Sequence, residues 1–204
     1  LGDKYRDPVL SASADGIGTK VRLHLAAGRL DLCGPDILGH SINDIMVCGA
    51  EPIFFLDYIA GNGLTTGQKQ TLVEGVARAC AEAGCALLGG ETADMPDIYP
   101  PGEFDLAGFI VGVVERDRII DGSKVAPGDL LLGIPSSGMH TNGFSLARKV
   151  LDICNGEPLE ETRRRLDERP PVLAGASLGE VLLTTHRPYY TQVGPVMEQV
   201  HGMA

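Results

Sequence analysis

Apolar positions along the chain recur with two different periods, and the change of period marks the elements. Pro8-Val9-Leu10-Ser11-Ala12-Ser13 reads as a strand that runs into the turn Asp15-Gly16-Ile17-Gly18-Thr19-Lys20, and residues 19–27 have the spacing of a short helix. Ile37, Leu38, Ile42, Ile45 and Met46 predict a helix over 36–50 that Gly49 stops. Asp44 lies on the margin of that apolar stripe, where a carboxylate can reach a cleft shared with a neighbouring loop, and Asn43 points further away. Residues 53–60 are almost continuously apolar, as in a strand buried on both faces, so Asp57 within them needs a partner or hydrogen bonds. Thr65 or Thr66 caps a helix over 68–83 that buries Leu72, Val73, Val76, Ala77 and Cys80 and ends at Gly84. A short strand over 86–88 leads into Gly89-Gly90-Glu91-Thr92-Ala93-Asp94-Met95-Pro96. The strand over 104–114 contains Gly108 and Gly112, where glycine signals close backbone approach.

Turn signals cluster at 121–124 and 127–129, which places a domain boundary there: 1–127, then 128–204. Leu130-Leu131-Leu132-Gly133-Ile134 predicts a new strand that opens into Ser136-Ser137-Gly138-Met139-His140-Thr141-Asn142-Gly143. A helix over 144–153 follows, with Leu146, Val150 and Leu151 expected inward. Residues 155–171 are charged and bounded by proline, with Arg163, Arg164 and Arg165 among acids, and read as a solvated surface excursion. Residues 178–183 resume regular character before Thr184-Thr185-His186-Arg187-Pro188-Tyr189.

Composition narrows the function classes. A net charge of -10 argues against broad contact with nucleic acid or an anionic membrane, so a bound polyphosphate needs local cations or a metal. No apolar run approaches the ~20 residues of a membrane-spanning helix. Five cysteines, an odd number, show neither a CxxC pair nor histidine at zinc spacing, which points to a reducing cytoplasm. With 44% hydrophobic residues but no tryptophan, the core must be aliphatic. The chain starts at Leu1 and shows no closing element, as expected of a fragment.

The turn at 15–20 suits a phosphate chain with a hard cation. Gly16 and Gly18 leave amides uncovered, Thr19 and Lys20 face phosphate oxygens, and Asp15 faces the metal. It is not a Walker A loop, and alone it equally describes an ordinary turn after a strand.

Five stretches in this order carry a more specific signal: DGIGTK (15–20), NDIMVCGAEPIFFLDY (43–58), GGETADMP (89–96), DLAGFIVGVVERDRIIDGSK (105–124) and SSGMHTNGFSLARK (136–149). Together they closely resemble the phosphoribosylformylglycinamidine cyclo-ligase (aminoimidazole ribonucleotide synthetase) family of purine biosynthesis, leaving only about 155–175 unmatched. The resemblance implies an α/β fold of mixed sheets, in which an ATP-binding domain pairs its sheet with a second subunit's into a barrel. A second α/β domain, incomplete here, follows it. The chain departs from the family at Ala14 for threonine, Met139 for proline and Asp94 for glutamate, the last keeping charge with a shorter reach. It also carries Thr184-Thr185-His186 where the family usually has Pro-Thr before Arg187.

The implied reaction uses ATP to phosphorylate the amide oxygen of formylglycinamidine ribonucleotide, after which a nitrogen of the same molecule closes the imidazole ring. It calls for positioning and charge neutralisation. The resemblance assigns Mg2+ to Asp15, Asp44 and Glu91. The nucleotide falls to Gly16, Gly18, Thr19, Lys20, Asn43 and Gly90, and the substrate to Ser136, Ser137, His140, Asn142 and Arg187, with Tyr189 beside it. His140, Lys20 and Asn142 are the expected catalytic groups, His140 as acid, base or hydrogen-bond donor. Three alternatives stand beside this reading: another ATP-dependent enzyme of the superfamily, such as formylglycinamidine ribonucleotide synthetase; a truncated dimerisation or nucleotide-binding piece; and an acidic metal-binding module. The partners expected are a small-molecule substrate and a second copy of the chain, with no nucleic acid and no membrane.

Overall fold

A computed structural model describes residues 2–199, so the last five residues of the expected second domain, 200–204, lie outside the described residues. A mixed four-stranded sheet has the order β1-β4-β2-β3, built from β1 (Pro8–Gly16), β2 (Glu51–Gly61), β3 (Ala86–Asp94) and β4 (Phe104–Glu115). β4 runs antiparallel to both β1 and β2, whereas β2 and β3 are parallel and joined by a helical crossover. Residues 86–88 therefore begin a strand longer than expected, which carries the whole glycine–carboxylate motif.

Helices α2 (Cys33–Met46) and α3 (Thr66–Glu82) cover one face of this sheet. Ile37, Ile42 and Ile45 of α2 and Leu72 and Val76 of α3 pack against Phe55, Ile59, Leu106 and Ile110, all at most 1% exposed. Each such side chain contributes roughly 1.5–3 kcal/mol. Gly108 is glycine because an added Cβ would fall 2.3 Å from the Phe55 ring and 2.8 Å from Ile37. α3 begins at Thr65, whose hydroxyl accepts from the Gln68 amide while the Gln68 side chain returns to the Thr65 amide. It ends at Gly84, with φ +67°, in a turn where the Cys85 amide donates to Cys80 O. The helix expected to reach residue 50 stops at Met46, and Gly49, at φ +83°, turns the chain into β2. The 19–27 helix is α1 (Val21–Ala27), entered through a single tighter turn at Gly18–Lys20.

Three expectations for the second half are corrected. No strand forms over 130–134: Leu130, Leu131 and Leu132 are 88–97% exposed. An extended segment needs a neighbour for its N–H and C=O groups, and among the described residues no strand pairs with this one. In α4 (Phe144–Leu151) the buried positions are Phe144 and Arg148, while Leu146 and Val150 face solvent and Leu151 is half-buried. Phe144 sets this rotation by entering a second cluster with Leu23, Ile153, Leu166 and Leu182. The charged stretch 155–171 contains α5 (Leu159–Leu166), which buries Thr162 and Leu166, so it packs against α1 rather than standing free. Two further helices, α6 (Leu178–Leu182) and α7 (Tyr190–Gln199), follow.

Candidate active site

Helix α2 is the platform of the site. A residue every four positions places Asp36, His40 and Asp44 along one side of it. The chain segment 184–189 lies against the same helix, because Gly39 offers no side chain: an added Cβ there would stand 2.0 Å from His186 O. Asn43 holds that segment by donating from Nδ2 to Arg187 O (2.8 Å) and accepting at Oδ1 from the Tyr189 amide (2.9 Å). This fixes the amide orientation, so His186 Nε2, 3.0 Å from Asn43 Nδ2, is an acceptor. His186 Nδ1–H then faces Thr141 Oγ1 at 3.2 Å, and Thr141 Oγ1 lies 2.8 Å from His40 Nδ1.

The loop 136–143 folds onto the same place. The His140 ring stacks on His186 at 4.0 Å with 4° between planes, and its Nε2 meets Tyr189 Oη at 2.9 Å and Ser136 Oγ at 3.1 Å. His140 takes φ +60°, uncommon for a residue other than glycine although His adopts it more readily than most, and its carbonyl accepts from the buried Lys20 ammonium. Burial, then the charge of Lys20, lowers the His140 pKa from its ordinary value. Burial and the neighbouring imidazoles hold His186 down at about 3, so it is neutral at physiological pH. Ser137 donates to Thr185 O (3.1 Å) and its amide to Tyr189 Oη (3.0 Å). Asn142 and Arg187 stand exposed, the Arg187 guanidinium 6.0 Å from the Tyr189 ring centre.

Lys20 departs from its expected role. Its ammonium is fully buried, and its three protons go to Asp36 Oδ1 (2.8 Å), His140 O (2.9 Å) and Thr184 O (2.8 Å). None is left for a phosphate. Burial pulls its pKa down while Asp36 opposes that shift. Asp36 is closed in turn, accepting also from His24 Nε2 (2.7 Å) and the His186 amide (2.8 Å). Helical spacing in the sequence pointed at Asp44 and missed Asp36, since a closed buried ion pair leaves no trace in apolar periodicity.

The carboxylates that remain open are Asp15, at the end of β1, and Asp44. Their companion is His40, 93% buried, with Nε2 2.9 Å from Asp15 Oδ2 and 3.8 Å from Asp44 Oδ1. One ligand atom from each of the three lies within 4.8 Å of the others, a donor set that fits a divalent cation. Glu91 is not among them. It sits exposed on β3, the sheet edge opposite β1, roughly 14 Å away across β4 and β2, and its carboxylate accepts from the Thr92 amide. Gly90 is glycine for the sake of Asp57, whose Oδ1 would lie 2.3 Å from a Cβ. Burial raises the pKa of that Asp57 carboxyl. Beside the cation cluster, Gly16 donates its amide to Asp15 Oδ1 (2.7 Å), Gly18 turns at φ +67°, and Thr19 Oγ1 meets Ser145 Oγ at 2.9 Å. The sequence signal for His40 was present in His40-x-x-x-Asp44, four residues apart and hence on one helix face.

The family described as AIR synthase related protein, N-terminal domain, matches residues 6–114, a stretch that spans the sheet, α2 and this cluster. The chain belongs to that family. Among AIR synthase related proteins it is 50% identical over 203 residues to phosphoribosylformylglycinamidine cyclo-ligase of Symbiobacterium thermophilum, covering 98% of this chain and 56% of the relative. It is 51% identical to the enzyme of the same name from Myxococcus xanthus, with the same coverage of both. The chain thus spans about half the length of the curated relatives it matches. Thiamine monophosphate kinase from Aquifex aeolicus shares the AIR synthase related fold, with a TM-score of 0.52 and 16% identity over 92% of this chain and 56% of that one. No helix among the described residues is long and apolar enough to cross a membrane.

Proposed function

We propose that this chain is the nucleotide-binding part of a phosphoribosylformylglycinamidine cyclo-ligase, which uses ATP to close the imidazole ring of aminoimidazole ribonucleotide. The observation that carries the proposal is the meeting, on α2, of the Asp15 turn and the His140 loop, with Asp15 and Asp44 carboxylates open between them. Half-identity to enzymes of that name along nearly the whole chain supports the choice of substrate. A bound Mg2+ would supply charge neutralisation to the polyphosphate, held by Asp15 and Asp44. Gly16, Gly18 and Thr19 present the turn to that polyphosphate, and Ser136, Ser137, His140, Asn142 and Arg187 line the substrate side. Neutral His186 keeps the His140 ring in place by stacking, so that His140 Nε2, shared with Tyr189 Oη, is positioned to pass a proton.

The proposal includes a division near residue 127 and a cytoplasmic homodimer. The free edges of β1 and β3 support the dimer, as do Leu10, Leu88 and Phe109, which leave 43–65% of their surface exposed on the uncovered face of the sheet. The test is ADP release from Mg-ATP with and without formylglycinamidine ribonucleotide. Substrate-dependent ADP with appearance of aminoimidazole ribonucleotide is the expected result. Because the chain spans about half of its relatives, saturable Mg-ATP binding lost in Asp15→Asn but without turnover would favour a binding part that needs more chain. ATP binding indifferent to Asp15→Asn would refute the site.

A further inference from the structure

We propose that His40 is itself a metal ligand, so that Asp15, His40 and Asp44 select a first-row transition cation, Mn2+ above Mg2+, at the nucleotide's cation site. This rests on the proposed role of that cluster as the cation site.

Each of the three side chains has its outer polar atom engaged by the protein, and the inner atoms face one centre, where His40 Nε2 and Asp15 Oδ2 meet at 2.9 Å. Asp15 Oδ1 accepts the Gly16 amide at 2.7 Å, leaving Oδ2. Asp44 Oδ2 accepts the Ser13 hydroxyl at 2.7 Å, leaving Oδ1. His40 Nδ1 meets Thr141 Oγ1 at 2.8 Å, leaving Nε2. The three remaining atoms are the ones that converge, with spacings of 2.9 Å and 3.8 Å from Nε2. Around an ion with bonds of about 2.1 Å, adjacent ligand atoms stand about 3 Å apart and opposite ones about 4.2 Å. A set of partners engaging the outer atom of every ligand is the arrangement that orients metal ligands, and a plain His–Asp ion pair needs none of it.

Donor chemistry decides the cation. Mg2+ prefers oxygen and keeps several waters, whereas imidazole nitrogen suits first-row transition ions, and Mn2+ accepts both donor types. Thr141 makes the exchange feasible. Without metal, the Thr141 hydroxyl can donate to His40 Nδ1 while His40 Nε2–H donates to Asp15. With metal on Nε2, His40 carries its proton on Nδ1, and the same hydroxyl oxygen accepts it. A hydroxyl has one proton and two lone pairs, so it can follow the change while still accepting from His186.

The experiment titrates the chain with Mn2+ alone and measures electron spin-echo modulation from nitrogen nuclei. The expected result is 14N modulation that becomes 15N modulation when the chain carries 15N-histidine. His40→Gln should abolish it and lower the Mn2+ to Mg2+ affinity ratio at least about tenfold. Thr141→Val, which leaves the imidazole in place, should weaken Mn2+ binding by about 10–100-fold. Mn2+ bound through Asp15 and Asp44 with no nitrogen modulation, an unchanged ratio in His40→Gln, or no Mn2+ binding at all would each overturn the assignment. Nitrogen modulation from His40 in a chain that binds no ATP would uphold the ligand and overturn the proposed function instead.

Discussion

Helix α2 carries two carboxylates on one side, about 12 Å apart along its axis, and the protein finishes them in opposite ways. Asp36 is fully buried and satisfied from within: Lys20, His24 and the His186 amide occupy both oxygens, and Lys20 spends its other protons on two carbonyls. Asp44 keeps one oxygen tied to Ser13 and one open, and faces Asp15 and His40 at the surface. Burial with complete internal pairing describes a joint that holds the 136–143 loop and the 184–189 segment to the helix. Partly exposed carboxylates whose inner atoms converge with His40 Nε2 on one centre describe a seat for something from outside. The type of residue does not separate the two roles, but the tally of unused lone pairs and protons does.

Removing Lys20 is the harshest test of that contrast. Lys20→Met strips the ammonium from a buried carboxylate and from two carbonyls and is expected to cost about 3–5 kcal/mol in chemical denaturation. A loss under about 1 kcal/mol would mean that Asp36 is not the joint. Gly39→Ala comes next, since its methyl would drive the His186 carbonyl off α2. A loss of about 1–3 kcal/mol is expected, with faster hydrogen exchange at the His186 amide that Asp36 holds. Unchanged exchange would show that the segment docks elsewhere.

Asp44→Asn should separate the two sites most cleanly. Stability is expected to move by less than about 1 kcal/mol, while Mn2+ affinity, read by calorimetry, falls at least about tenfold. The reverse pattern would place Asp44 in the scaffold.

The smallest effect at neutral pH belongs to His186. Its folded pKa is depressed to about 3, against an ordinary value near 6.5. The unfolded chain therefore takes up a proton first as pH falls. The stability linked to His186 is complete above about pH 6.5 and is lost progressively toward pH 3. His186→Asn should flatten the slope of unfolding free energy in that window by at most one proton. An identical slope in the variant would show that other groups set the acid limit.

Much of the sheet half could be read from the sequence, because local chemistry and tertiary burial agree there, apart from Val73 and Ala77 of α3, which the spacing predicts inward and which face solvent. Thr65 as a cap, Gly84 at the end of α3, and Gly112 against the Glu51 backbone are legible from residue type and position, whereas Gly108, expected to meet backbone, makes room for the Phe55 ring. Agreement breaks down where a residue's fate depends on distant chain. Lys20 reads as a phosphate ligand from its neighbours, but Asp36 and Thr184, 16 and 164 positions away, claim it. Glu91 reads as a metal ligand from its motif, but within one chain strand order sets it on the sheet edge opposite β1. Leu146 and Val150 read as inward until Phe144 fixes the rotation of α4. His40 shares a helix face with Asp44 four residues on, but a single imidazole on an apolar helix face signals core as readily as chemistry.

Leu130-Leu131-Leu132-Gly133-Ile134 has a consequence for handling the chain in solution. Its five residues are uncharged and exposed, and among the described residues no strand pairs with them, so the segment is open to pairing with another copy. Asp129 at one end and Pro135 at the other act as gatekeepers, the first by charge repulsion between stacked copies and the second by lacking an amide proton. A single lysine placed within the stretch is expected to lower self-association at high concentration without touching helix α2.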